Sequence, residues 1–178
     1  MNPMTRREVL NRSVLAAGLI GGLEAANAEE KKMETPQKLK IMVAGGHPDD
    51  PESACGGTIA LFAAAGHEVV NVYLTRGEAG IHGKSHEEAA AIRTAEAEAA
   101  CKLLGARPIF LGQIDGDTEI NAHWYETVLT VFKQENPDIV ITHWPIDGHR
   151  DHRVISLLVY DTWLKMDRSF ELYYFEVE

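Results

Sequence analysis

The chain has 178 residues, 45% apolar and 25% charged, which fits one soluble globular domain rather than two. Its formal net charge of −10 argues against a nucleic-acid-binding surface, because phosphate contacts need clustered Lys and Arg and only scattered pairs occur. Two cysteines, Cys55 and Cys101, fall in Ala-rich stretches and read as small buried hydrophobes, although sequence alone leaves a pairing between them open.

The chain opens with Arg6-Arg7 ahead of a short apolar run over 14–23, and Ala26-Asn27-Ala28 then matches a small-x-small cleavage site. That run is too short to span a bilayer as a helix. Residues 1–28 read as a removable signal of the twin-arginine type, against the blander reading of a leader with chance arginines. The expectation is an exported protein, periplasmic or extracellular, whose mature part carries no stable membrane span. Residues 29–38 are polar, contain Pro36, and read as a linker.

From residue 39 short apolar runs alternate with longer helical stretches. Strands are expected over 40–44, 69–75, 108–111, 138–142 and 172–177. The first, second and fourth are rich in Val and Ile without strict alternation, as in strands buried on both faces. Helices are expected over 53–65, with Gly66 as a stop, and over 86–104, closed by Gly105. In the second of these, Ile92, Ala95, Ala99 and Leu103 form the expected core stripe. A third helix over 122–135 takes Asn121 as N-cap and turns Trp124, Val128, Val131 and Phe132 inward. A fourth begins near Asp151 and presents Val154, Leu157 and Leu158. This alternation predicts an α/β, Rossmann-like, mostly parallel sheet of order 3-2-1-4-5 with helices on both faces. The sequence stops directly after a strand pattern, which leaves room for a missing C-terminal segment.

In such a sheet ligands bind beyond the C-terminal strand ends, where the strand order reverses. The loops that meet there read Gly45-Gly46-His47-Pro48-Asp49-Asp50-Pro51-Glu52 and His143-Trp144-Pro145-Ile146-Asp147-Gly148-His149-Arg150-Asp151-His152. A catalytic zinc site takes three His, Asp, Glu or Cys ligands and keeps a fourth position open. His47 and Asp50 can face one point, and His152 can add the third ligand from the neighbouring strand. Asp49 then stands as a base for water, and His149 can donate to a developing oxyanion. Such a set suits metal-assisted hydrolysis of an amide. Read blandly, His-Pro-Asp-Asp is turn chemistry, and His149 and His152 are surface residues of a helix start capped by Asp151.

Gly46-His47-Pro48-Asp49-Asp50-Pro51-Glu52 resembles the His-Pro-Asp-Asp-x-Glu signature of the PIG-L/LmbE-like N-acetylglucosaminyl deacetylase family. Pro145-x-Asp147-x-His149-x-Asp151-His152 resembles that family's second motif. Thr75-Arg76-Gly77-Glu78 and Arg93-x-x-Glu96 with Leu104-Gly105 are weaker family-like stretches, and the resemblance spans about residues 39–178. It implies a Rossmann-like fold and a zinc-dependent hydrolase acting on N-acetylated sugars or glycoconjugates. It further implies zinc on His47, Asp50 and His152, Asp49 as general base, and His149 as oxyanion stabiliser or acid. Asp151 would orient a histidine, and Arg76 and Asp115 would contact substrate. Arg150 stands where Pro is common in the family, with little consequence expected. Family members usually continue well beyond the equivalent of Glu178. Two rival readings are a non-catalytic, zinc-containing carbohydrate-binding module and a nucleotide-binding Rossmann domain. The latter is disfavoured because no Gly-x-Gly-x-x-Gly follows the first strand.

Overall fold

The computed structural model describes residues 37–177. The expected signal over 1–28 and most of the expected linker lie outside the described residues. Five strands and four helices alternate: β1 (Lys40–Gly45), α1 (Asp50–Ala64), β2 (Glu68–Tyr73), α2 (His86–Leu104), β3 (Ala106–Phe110), α3 (Ala122–Glu135), β4 (Ile139–His143), α4 (Arg150–Lys165) and β5 (Glu171–Phe175). All neighbouring strands pair in parallel, in the order β3-β2-β1-β4-β5. The α/β class and the strand order are those expected from the alternation. Pro108, which has no N–H to give a ladder, sits in the edge strand β3.

Side chains on β1 alternate between two separate cores. Met42 and Ala44 join Val70, Val72 and Val140 beneath α3 and α4, which contribute Val128, Phe132, Ile155 and Leu158. Ile41, Val43 and Val69 face the other way, onto Cys55 and Ile59 of α1. Each fully buried aliphatic side chain of this kind contributes about 1.5–3 kcal/mol by leaving water. Both cysteines are buried free thiols. Among the described residues no helix is long and apolar enough to cross a membrane.

The helix ends follow their caps. Ser85 accepts from the Glu88 N–H while Glu88 reaches back to Ser85, and Asn121 accepts from Trp124 N. Gly105 closes α2 and Asn136 closes α3 with positive φ, of 73° and 48°.

Three expectations need correction. The buried side of α2 is Ala89, Ala97 and Cys101, whereas Ile92 is 38% and Leu103 89% exposed. The larger side chains turn outward because only small ones let α2 lie close to the edge of the sheet, while Arg93 is tucked against the turn after β1. In α4, Ile155 and Val159 pack inward with Val154 and Leu158, and Leu157 is exposed. Finally, α1 begins at Asp50 rather than residue 53, because Pro51 suits the first helical turn and Asp49 serves as N-cap.

Candidate metal centre and active site

The turn after β1 and the start of α4 meet at the carboxylate of Asp50. Its Oδ2 lies 3.4 Å from His47 Nδ1, 3.1 Å from His143 Nε2 and 3.3 Å from His152 Nε2, and accepts from the His47 backbone N–H at 2.8 Å. Hydrogen-bond partners on the far sides of the rings fix where the protons sit. His152 Nδ1 faces Asp147 Oδ1 at 3.0 Å, and an ionised carboxylate can only accept. A hydrogen is therefore on Nδ1, and Nε2 is the atom that faces Asp50. His47 Nε2 lies between Asp115 Oδ1 and Asp151 Oδ2, each 3.2 Å away, so it carries a hydrogen, and Nδ1 is the atom that faces Asp50.

An imidazole nitrogen stays 3.3–3.4 Å from a carboxylate oxygen when a proton or a metal cation is shared between them. Three donors about 2.0–2.1 Å from a tetrahedral zinc ion stand about 3.3–3.4 Å apart from one another. The donor types of His47, Asp50 and His152, and the spacing of each histidine nitrogen from Asp50 Oδ2, thus suit a divalent metal ion.

Burial disfavours a charge on His47, yet hydrogen bonds with Asp115 and Asp50 raise its pKa to about 10. His152 is also raised, its carboxylate partners outweighing burial. Burial would raise Asp50, but hydrogen bonds from His143, His152 and His47 hold it well below the usual carboxylate range. His143, wholly buried at the end of β4, is pushed down by burial and stays neutral. Three groups of ligand-type side chains overlap at this centre, His47/His149/His152, Asp50/His143/His152 and His47/Asp115/Asp151.

Asp49 stands at the mouth, its side chain 61% exposed, with Oδ2 2.8 Å from an Arg93 Nη. Its φ of 103° is a left-handed value that costs a non-glycine residue on the order of 1–3 kcal/mol and persists only where neighbours impose it. Arg93 also donates to the Pro48 carbonyl. The approach of Arg93 depends on Gly77, whose φ is 70° and where a Cβ would stand 2.7 Å from Arg93 Nε. An open cavity of about 440 Å³ runs over this mouth, lined by His47, Asp49, Arg93, Asp115, Gly116 and His149. His149 caps α4, its Nδ1 accepting from Asp151 N at 3.2 Å, and its ring meets His47 edge-on at 4.7 Å.

Asp151 is fully buried and joins the loop after β3 to the centre. It faces His47, accepts from Gly116 N at 2.8 Å, and accepts from Thr118 Oγ1 at 2.6 Å. Hydrogen bonds hold its pKa below the carboxylate range against the effect of burial. Asp115 contacts His47 directly, and its Oδ2 accepts from Ala79 N.

His47, Asp49, Asp50, Asp115, His149, Asp151 and His152 are therefore brought to one place. Arg76 is exposed and lies over the Phe110 ring at 5.6 Å, and the arginine that lines the cavity is Arg93. Arg150 is engaged as well, donating to the carbonyls of Gly116 and Thr118. Sequence reasoning gave no role to His143, Asp147, Glu52 or Arg93. The signal for His143 was a polar residue closing an otherwise apolar central strand, and for the others their fixed places in the motifs.

The family model for PIG-L, GlcNAc-PI de-N-acetylase, matches residues 42–163. A 1D-myo-inositol 2-acetamido-2-deoxy-alpha-D-glucopyranoside deacetylase from Rhodococcus erythropolis is 29% identical, over 66% of this chain and 50% of its own. The N,N'-diacetylchitobiose deacetylase from Pyrococcus horikoshii superposes with a TM-score of 0.68 at 25% identity, covering 92% of this chain and 60% of its own. GalB, the 4-carboxy-2-hydroxymuconate hydratase from Pseudomonas putida KT2440, gives 0.67 at 25% identity, covering 72% and 56%. The chain spans about half the length of the curated relatives it matches. With the family model covering most of the described fold and both histidine motifs, the chain belongs to the PIG-L de-N-acetylase family.

Proposed function

We propose that this chain is a hydrolase that removes the acetyl group from N-acetylglucosamine-type sugars, using a zinc ion held by His47, Asp50 and His152. The observation that carries this reading is the convergence of two imidazole nitrogens on one carboxylate oxygen beside an open cavity. The relatives named as deacetylases support the substrate class. When bound, the ion supplies Lewis acidity to the acetyl carbonyl and to water. Asp49, exposed and at the cavity wall, accepts a proton from the attacking water. His149, whose Nδ1 is engaged by the Asp151 N–H, has Nε2 left for the developing oxyanion. The proton held by Asp49 or His149 then passes to the departing amine, so water and amide become acetate and a free amino sugar. Asp151 keeps the His47 ring in the tautomer that a ligand requires. The leader read over 1–28 supports export of the folded protein by a twin-arginine route.

A second reading, water addition to an unsaturated acid, draws support from the likeness to the hydratase. Elemental analysis of the purified protein, together with acetate release from a panel including N-acetylglucosamine and N,N'-diacetylchitobiose, tests the proposal. One zinc per chain with acetate released, both lost in His152→Ala, is expected. Zinc without acetate from any of the panel would favour the second reading. Absence of metal after zinc loading would overturn the proposal.

A further inference from the structure

Asp49 is held by more than its contact with Arg93. Its backbone N–H donates to Glu52 Oε2 at 3.2 Å, one turn into α1. The other oxygen of Glu52 accepts from Asn71 Nδ2 at 3.0 Å and from the Tyr73 hydroxyl. Asn71 and Tyr73 are wholly buried residues of β2, and the Tyr73 hydroxyl also lies 3.4 Å from Cys101 Sγ of α2. A single carboxylate thus links the strained residue at the cavity mouth to the interior of the sheet. Arg93 grips the same turn through the Pro48 carbonyl and the Asp49 carboxylate.

We propose that Glu52 is a positioning residue, anchored by Asn71 and Tyr73, that holds Asp49 in its left-handed conformation and so aims its carboxylate into the cavity. The proposal rests on the reading of Asp49 as the base. The chemistry of the side chain explains why a carboxylate is needed. Glu52 accepts from three donors, and both of its oxygens are used. An amide offers only one acceptor oxygen, so Glu52→Gln must turn an NH2 either toward the Asp49 N–H, another donor, or toward the β2 anchor, where Asn71 and Tyr73 must reorient to accept it. A small displacement of a reacting group is enough to lower turnover about 100-fold.

Two measurements on the full chain decide the matter. In the first, amide hydrogen exchange is followed by NMR in the wild type, Glu52→Gln and Tyr73→Phe. Exchange at Asp49 should quicken about tenfold or more in Glu52→Gln, and less in Tyr73→Phe, while Met42 and Val43 in β1 keep their protection. Equal exchange at Asp49 in all three proteins would overturn the proposal. Tyr73→Phe preserves the ring and answers the question if Glu52→Gln does not fold. In the second, zinc-loaded protein is assayed on N,N'-diacetylchitobiose. Glu52→Gln should lower kcat about 10- to 100-fold with KM and zinc content nearly unchanged, and should add nothing in an Asp49→Ala background. Effects that multiply in the double variant would show that Glu52 acts elsewhere. Undiminished turnover by Asp49→Ala alone would instead bring down the assignment of the base, and the exchange rates would still decide whether Glu52 holds the turn.

Discussion

The rings of His143 and His152 stack face to face, 3.7 Å between centroids and 12° apart in plane, and both present Nε2 to the same oxygen of Asp50. Two imidazolium ions at that distance would repel strongly, and only His152 is raised by its surroundings while His143 is lowered. His143 therefore braces the carboxylate as a neutral ring from the floor of the site. His143→Phe keeps a flat ring but removes the nitrogen that faces Asp50. Zinc affinity is expected to fall about 10- to 100-fold, as for other partners of metal ligands, in competition with a chelator of known strength. An unchanged affinity would mean that Asp50 is held well enough without support from β4.

Gly46 shows how little room the centre leaves. A Cβ there would stand 2.9 Å from His152 Cδ2 and 3.3 Å from Asp50 Oδ2. Gly46→Ala should displace both side chains and lose zinc on dialysis, with a stability loss of about 1–3 kcal/mol from overpacking. Zinc content and the urea midpoint measure the two effects separately. Full retention of zinc would show that His152 can swing aside freely.

Arg150 clamps the loop that carries Asp115. Its guanidinium donates to the carbonyls of Gly116 and Thr118, while Asp151 accepts from Gly116 N and Thr118 Oγ1. Arg150→Ala removes half of this clamp and leaves the zinc ligands untouched. KM for N,N'-diacetylchitobiose is expected to rise about 3- to 10-fold with kcat largely kept. Steady-state kinetics showing the reverse pattern would place Arg150 in the chemical step.

At the opposite end of the strands, Lys40 and Arg107 converge on Glu135 and Glu68. Burial works against a charge on Glu135, but hydrogen bonds from Arg107 and Lys40 prevail and lower its pKa from the ordinary value. Because the folded pKa lies below the unfolded one, the stabilisation is present above the unfolded value of about 4.3 and is lost as pH falls through the folded pKa. Glu135→Gln should be less stable than wild type at about pH 7, and the gap in urea midpoint should narrow as pH falls below about 4. A gap that is independent of pH would show that the pairing contributes through packing alone.

Much of this fold was legible in the sequence because period and punctuation agree. Val and Ile runs marked the central strands, Gly105 and Asn121 marked helix ends, and strand-helix alternation left few parallel topologies. The core face of α2 was not legible. Hydrophobicity singled out Ile92 and Leu103, but closeness of approach favours Ala89, Ala97 and Cys101, and steric fit between elements is not written in a single helix. The same holds at the site. His47, Asp50 and His152 announce themselves by spacing, whereas His143 matters because β1 and β4 are neighbours, a relation visible only after the sheet forms. Arg93 reaches Asp49 from 44 positions away, across the surface of another loop, and no local pattern separates it from a solvated arginine such as Arg76.

The lattice of Lys40, Glu68, Arg107 and Glu135 sits where β1, β2 and β3 begin, and the histidine cluster sits where β1 and β4 end. Strands of five or six residues keep the two apart by roughly 15–20 Å of apolar interior. Surface changes meant to toughen the protein against heat can therefore be confined to the lower rim, where they are electrostatically remote from the reacting atoms. Selection for new substrates can remodel the upper loops without weakening that rim. Durability and chemical repertoire are open to independent adjustment in one small sheet.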